Sequence, residues 1–495
     1  MIREPRDAAA VVLLKHGTSA ENPQICCVKR HANLSFLPGW HAFPGGKLEK
    51  SDYETAVESC ADKDLAALIV CAAREAFEET GVLLSKGGDK LTRGQRASLH
   101  DDLCSGRETF AEILKGWDLW LDAGDFQFVG AWTTPPFSPV RFNTRFFLAV
   151  CPPKQTPFAA SGELETVEFI HAGVALKKWQ NGEILCAPPI LNTFRVIGGE
   201  NPVEKLLSLA KIEGEHPRKI EFNPRFTCFP LKTKTLPPAT HTNCFVVGRR
   251  EFVVIDAAAR EEAEQRALHE FIDPIVERGG ICKGIIVSHF HQDHTGGEIA
   301  LKKHLRENFD QQAPLLTHRA TAENLPEIEF NGFLNDADKF NLKDENGAQF
   351  KLETLHAPGH ARGHLCFYDR EMGFLLSGDN VIGAGSVLIA PPEGNMRDYL
   401  NSLEKMRDLP NLRFLCGSHG SALANAREKI ENYIRHRLMR EQEILEAWKT
   451  GARTPREIVE RVYTDVKPEL WLWAEKSVEA HLEKLQADGL LIVNG

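Results

Sequence analysis

The chain has 495 residues, 42% of them apolar and 26% charged, with a formal net charge of −10. That length exceeds one core and predicts two or three domains, in proportions typical of soluble globular chains. The acidic surplus argues against nucleic-acid binding through bulk positive charge, while leaving room for a local basic groove.

The twelve cysteines are scattered without a C-x-x-C pair, which argues against a thiolate zinc site or redox dithiol and for small buried hydrophobes in a reducing compartment. Ala8–Leu14 is a short apolar run preceded by Asp7 and does not read as a signal peptide. No window has the length of a membrane span. The expected location is the cytoplasm.

Residues 8–14 and 24–30 read as two strands, followed by a glycine-rich bend at 37–47. A helix is predicted from Asp64 to Thr80, stopped by Gly81. Its last turns read Arg74-Glu75-Ala76-Phe77-Glu78-Glu79. Glu75, Glu78 and Glu79 stand at i, i+3 and i+4, so three carboxylates share one face. Crowded like charges call for a cation, and Mg²⁺ or Mn²⁺ favours such oxygens together with a phosphate.

Gly46 and Arg74–Val82 resemble the Nudix signature G-x5-E-x7-R-E-U-x-E-E-x-G-U. Here 27 residues separate Gly46 from Arg74, more than the usual box holds, and the position eight before Arg74 is Ala66 instead of glutamate. A branch with an insertion at this place includes coenzyme A diphosphatases, and Arg141–Leu148 with Gly162–Glu165 is similar to it. The resemblance implies an α/β/α sandwich, Mg²⁺ or Mn²⁺ on Glu75, Glu78 and Glu79, candidate catalytic roles for Glu78 and Glu79, and hydrolysis of an X-linked nucleoside diphosphate. Arg74 would be a structural ion-pair partner. An additional base is open between Glu163 and Glu168. This domain is expected over 1–205, with a linker at 206–221.

From Phe222 the pattern is strand-rich, with a hairpin at 242–256 and a helix at 261–280. The apolar run 284–287 delivers His289, His291, Asp293 and His294 into one short loop. His289 and His291 are two apart, so in extended chain both imidazoles face one way. Strands at 350–355, 373–376 and 413–416 lead to His360, Asp379 and His419. Strand ends aim side chains at one point while loops carry chemistry.

The H-x-H-x-D-H run with these downstream ligands is similar to the metallo-β-lactamase superfamily over roughly 222–420. The resemblance implies an αβ/βα sandwich and two zinc ions, or other divalent metals. One would sit on His289, His291 and His360, the other on Asp293, His294 and His419, with Asp379 bridging. Asp293 and Asp379 are the candidate catalytic carboxylates. Asp256 would support the ligands from behind. His364 is a candidate substrate contact or proton donor, with a supporting role equally open. Paired ions of this kind activate water near neutral pH for ester, thioester, lactam or phosphodiester hydrolysis.

The domain is expected over 222–424. Residues 425–495 read as helices at 424–448, from Thr454, and at 475–487, then a strand at 489–493, a winged-helix-like module. It carries twelve Lys/Arg against thirteen Asp/Glu, with Arg435, His436, Arg437 and Arg440 as a local basic cluster open to a phosphate-track or a surface ion-pair reading. The metal domain plus tail resembles the β-lactamase-like endoribonuclease family, which implies single-stranded RNA as the first substrate expectation. The runner-up is an acyl-CoA or other thioester, beside a Nudix domain that hydrolyses or senses a nucleotide. Expected partners are therefore RNA or a nucleotide- or CoA-type small molecule, with no membrane. The whole is predicted as an α/β and α+β multidomain chain.

Overall fold

Alternating and continuous apolar runs pair into three main sheets, with amphipathic helices laid over them. The computed structural model describes residues 4–19, 21–34, 37–136, 138, 140–159, 162–209, 218–383 and 387–491. The chain divides into two compact units, Met1–Asn223 and Pro224–Gly495. Among the described residues no helix is long and apolar enough to cross a membrane. All twelve cysteines are free, and all but Cys60 and Cys104 are buried.

In the first unit, β1 (Arg6–Leu14) is the central strand. It pairs antiparallel with β2 (Gln24–Arg30) and parallel with a later strand, β8. Short strands β3 (His41–Ala42) and β4 (Gly45–Lys47) form from the glycine-rich bend, and β5 (Val57–Glu58) follows. Helix α1 (Lys63–Thr80) starts one residue earlier than expected, because the Asp62 carboxylate accepts the Asp64 and Leu65 N–H groups. It ends at Gly81, whose φ of +67° is natural to glycine. The middle of α1, Ala66–Ala73, is buried all round beneath α2 (Arg93–Cys104), α3 (Phe110–Gly116) and the sheet. The remaining elements are β6 (Leu121–Asp122), β7 (Gln127–Thr133), β8 (Phe142–Val150), β9 (Leu164–His171), α4 (Ala172–Gln180), α5 (Pro188–Ile197), α6 (Pro202–Leu209) and β10 (Ile220–Glu221). Helix α6 crosses the expected domain end at 205, and positions 210–217 of the expected linker lie outside the described residues.

The second unit holds two sheets. Strands β11 (Phe226–Lys232), β12 (His241–Gly248), β13 (Glu251–Ile255), β14 (Ile281–Ile286), β15 (Leu315–Thr317) and β16 (Gly332–Phe333) lie in sequential order. They are covered by α7 (Glu262–Glu277) and α8 (Glu298–Phe309), with α9 (Arg319–Ala322) a single turn. The second sheet runs β17 (Lys339–Lys343), β18 (Gln349–His356), β19 (Leu365–Asp369), β20 (Phe374–Gly378) and β21 (Phe414–Gly417). Phe226 stacks on Phe374 at 4.8 Å, joining the sheets face to face. Strands β18, β20 and β21 point the same way, as their antiparallel and parallel pairings require. Their C-terminal ends therefore share one edge.

The helices α10 (Met396–Arg407) and α11 (Ala426–Lys449) cover the second sheet. Helices α12 (Pro455–Val462) and α13 (Trp471–Ala487) follow. The tail does not stand apart from the metal domain. Ile430, Ile434 and Ala480 share a core with Leu375, Tyr399 and Leu415, while Ile444, Ile458, Val459 and Val478 make a smaller core. Residue 491 is the last described, so the expected terminal strand extends beyond the described residues.

Candidate metal centre

The side chains that the sequence scattered over 130 residues meet at the shared strand edge. His291 Nδ1 lies 3.1 Å from His289 Nε2 and 2.9 Å from His360 Nε2. Three nitrogens around one tetrahedral ion with bonds of about 2.0–2.1 Å stand about 3.3 Å apart, so the spacing suits one cation. Beside them, His419 Nε2 is 3.4 Å from Asp293 Oδ2 and 3.5 Å from Asp379 Oδ1. Asp379 Oδ2 is 3.6 Å from His294 Nε2 and 3.7 Å from His360 Nε2. The Asp379 carboxylate thus faces both groups. Three sets, His289/His291/His360, His289/His294/Asp379 and Asp293/His294/His419, each keep their ligand atoms within 4.8 Å.

The far side of the imidazoles fixes which nitrogen faces inward. His360 Nδ1–H donates to Leu388 O at 2.8 Å and His419 Nδ1–H to His241 O at 2.9 Å. His294 Nδ1–H donates to Asp256 Oδ2 at 2.8 Å. His289 Nδ1–H donates to Ser288 Oγ at 3.0 Å, and that hydroxyl donates to Asp256 Oδ2 at 2.7 Å. Each of these four rings therefore turns its Nε2 toward the cluster, the arrangement that orients metal-ligating histidines. His294 Nε2 and Asp379 Oδ1 are buried and have no hydrogen-bond partner among the described residues, an expensive state that a cation relieves.

Electrostatics fit the same donor set. Burial, reinforced by neighbouring imidazoles, keeps His289 well below its ordinary value and takes His291 to about 3, so both are neutral ligands. Burial likewise lowers His360. Burial opposes charge on Asp379, but His419 and His294 hold it well below the usual carboxylate range. Burial also opposes charge on His419, and Asp379 foremost overrides it, to about 10. The two carboxylates thus draw positive charge to the side where a second divalent ion fits.

Two expectations change. His364 is fully buried behind Asp379, and its Nε2 accepts the Asp379 N–H at 3.0 Å; it has no surface for substrate and acts as a support. The basic cluster in the tail is dismantled, because Arg437 and Arg440 are buried. Arg440 grips Asp465 with both oxygens at 2.8 Å, and Arg437 donates to Val387 O. A sequence signal existed. Residues 430, 434, 437, 441 and 444 follow the spacing of one helical face, so Arg437 occupies the buried stripe. Ser288, which links His289 to Asp256, also escaped the sequence reading.

In the first unit, Arg74 is buried and forks onto Asp52, Nε to Oδ1 at 2.8 Å and Nη2 to Oδ2 at 3.0 Å. Arg74 Nη1 also reaches Glu75 at 2.9 Å and Glu78 at 3.0 Å. Asp52 stands six places after Gly46, the signature's carboxylate position when counted from the glycine. Counted forward from Gly46 the signature's glutamate position holds Asp52, with the extra residues after it, whereas counted back from Arg74 it holds Ala66. Gly46 lies directly against Glu75, whose carboxyl a Cβ there would meet at 2.4 Å. Gly45 N–H donates to Glu79 at 3.0 Å. Burial foremost raises Glu75 to about 7 and Glu79 to about 8. Glu168 pairs with Lys178 at 3.2 Å, whereas Glu163 acts electrostatically on Glu79.

Comparison with known proteins agrees with this geometry. Residues 237–419 match the model of the Metallo-beta-lactamase superfamily. This stretch is a metallo-beta-lactamase domain. It is followed by a match at 454–495 to the Beta-lactamase associated winged helix domain. The metallo-beta-lactamase part is similar to an atrochrysone carboxyl ACP thioesterase of Pseudocercospora fijiensis, 28% identical over 50% of this chain and 70% of that protein. It is also similar to the Beta-lactamase-like protein 2 homolog of Drosophila melanogaster, 28% identical over 51% of this chain and 85% of that protein. Among solved structures, a metallo-beta-lactamase family protein from Thermus thermophilus is 22% identical, covering 54% of this chain and 95% of its own, with a TM-score of 0.44. A NUDIX hydrolase from Alicyclobacillus acidocaldarius is 30% identical, covering 42% of this chain and 97% of its own, with a TM-score of 0.38.

Proposed function

We propose that the metallo-beta-lactamase domain is a two-metal hydrolase of thioesters, of the acyl-CoA or acyl-carrier-protein kind. The observation that carries the hydrolase reading is the convergence of four Nε2 atoms, His291 Nδ1 and two carboxylates, with every Nε2 ring anchored through its Nδ1. Divalent ions held there supply an activated water and a Lewis acid for the substrate carbonyl. The chain's own groups then have distinct tasks. Asp379 spans the two ligand sets, and Asp293, part exposed at the rim beside His419, is the second candidate catalytic carboxylate. Thioester specificity is supported by the thioesterase among the similar proteins. It is also supported by the removal of Arg437 and Arg440 from the tail's surface, which leaves Arg435 and His436 as the exposed part of the basic cluster.

RNA cleavage is the second reading, favoured by a winged-helix module directly after the metal domain. The two part company in one assay. Full-length protein and its Asp379→Ala variant are incubated with acyl-CoA and with single-stranded RNA. Thioester hydrolysis by wild type, lost in the variant, is expected. RNA cleavage without thioester cleavage reverses the order, and either activity surviving intact in Asp379→Ala rejects the metal assignment.

For the first unit we propose Mg²⁺- or Mn²⁺-dependent hydrolysis of a nucleoside diphosphate linked to a second group, with Glu75, Glu78 and Glu79 holding the ion and Glu163 the favoured additional base. The Asp52–Arg74 fork supports this reading, since it restores the box carboxylate.

A further inference from the structure

One ligand of the metal centre is held by a segment that helix α11 grips. His360 Nδ1 donates to Leu388 O at 2.8 Å, so the position of that carbonyl sets the orientation of the ring. Leu388 is half-buried, while Val387 and Ile389 on either side are buried in the core that also contains Ile430, Ile434 and Ala480. Arg437 of α11 donates from Nη2 to Val387 O, the carbonyl next to the one that His360 uses. The same guanidinium lies 5.4 Å from the Tyr399 ring. Tyr399 Oη donates to Asn380 O at 2.8 Å, and Asn380 Nδ2 donates to Ala357 O at 2.7 Å. Asn380 follows Asp379 directly, and Ala357 is three residues before His360. One buried arginine therefore touches two short chains of bonds, one ending at the His360 imidazole and the other at the backbone carrying Asp379.

From this geometry we infer that Arg437 is a positioning residue for the metal ligands His360 and Asp379, and that helix α11 is a working part of the metal centre. A hydrophobic side chain at the same place on the stripe would pack the helix as well. It would leave Val387 O without its donor and the Tyr399 side of the network without its cation. Partners of this kind behind metal ligands commonly govern metal affinity. The inference rests on the two-metal reading of the site.

The test is cobalt titration of full-length apoprotein, followed by its visible spectrum, with Co²⁺ alone as probe. Wild type is expected to take up two ions at the histidine-rich site, read from the bands of nitrogen-ligated cobalt, which an ion on the all-carboxylate face of the first unit does not give. Arg437→Met is expected to bind the ion on the His360 side about 10-fold or more weakly, with an altered spectrum, and to lower kcat more than it raises KM. Arg437→Lys keeps a charge and one donor group and is expected to recover part of the affinity. Arg427 supplies the control, because it bonds Leu409 O at 3.1 Å from the same helix, outside this network; Arg427→Met should bind both ions like wild type. If Arg437→Met does not fold, Arg437→Lys decides: weakened binding on the His360 side supports the role, and wild-type binding overturns it. Folded Arg437→Met with wild-type affinity and spectrum overturns the positioning role alone. Wild type that binds no cobalt at the histidine-rich site overturns the metal reading and the inference together.

Discussion

Asp256 shows how single residues are bent to the needs of the site. Its φ of +56° is left-handed, a conformation that costs an L-residue about 1–2 kcal/mol and that aspartate tolerates better than most. In return one carboxylate accepts from Ser288 N, Ser288 Oγ and His294 Nδ1, fixing two metal-facing rings at once. Asp52 plays the comparable part in the first unit. It is 1% exposed and bonds the buried Arg74 through both oxygens. Asp52→Asn removes the charge facing the fork and leaves Arg74 only Glu75 and Glu78 as ion-pair partners; breaking a buried pair from one side costs about 3–5 kcal/mol, and these remaining carboxylates bring the expected loss toward the lower end. Urea unfolding of the variant should register that loss; a change below about 1 kcal/mol, the range of exposed pairs, would show that Asp52 is not the anchor of the box.

Helix α1 was legible because its carboxylates repeat at helical spacing and Gly81 marks its end, while the Asp62 cap at its start was not read. The inserted stretch was harder, since nothing local says which end of a signature keeps its register; only the Asp52–Arg74 contact does. Strands ending in ligands were legible for a simple reason: a short apolar run followed by glycine and a metal-ligand residue is uncommon, and it recurs before His360, Asp379 and His419 with one further apolar run before His289. The inward burial of Arg437 and Arg440 was not read, because charge suggests surface; the stripe of Ile430, Ile434 and Ile444 carried the signal for Arg437, while Arg440 is turned inward by tertiary packing.

A consequence for α1 follows from Glu79. Burial foremost, then Glu75, raises it from 4.5 to about 8 against the Gly45 N–H bond. A raised carboxyl favours the folded state while protonated, so its contribution is full below 4.5 and is lost as pH climbs through about 8. Without divalent ions, the first unit's melting temperature should therefore fall over that window, and Mg²⁺ should raise it more at the upper end than at the lower. Glu79→Gln should flatten both dependences. Equal Mg²⁺ stabilisation at both ends in wild type would count against a cation on this face.

At the scale of the molecule, two compact units each carry a charged cluster of the opposite make-up: carboxylates around one arginine in the first, histidines around two aspartates in the second. The first unit ends at Asn223, and the sequence pattern becomes strand-rich from Phe222. The sharing of a core between tail and metal domain was not, since Ile430 and Ile434 belong to a helix whose partners lie elsewhere in the chain. Ligands drawn from one loop and three separate strand ends have to arrive at one edge together, and hydrolysis in the second unit depends on that. Anomalous diffraction at the absorption edge of zinc, on crystals grown with zinc, measures this directly. The expected result is two peaks about 3.5–4 Å apart, one among His289, His291 and His360, the other among Asp293, His294 and His419, with Asp379 between them. No peak within bonding distance of these residues, or a single peak touching one set alone, would contradict the dinuclear centre.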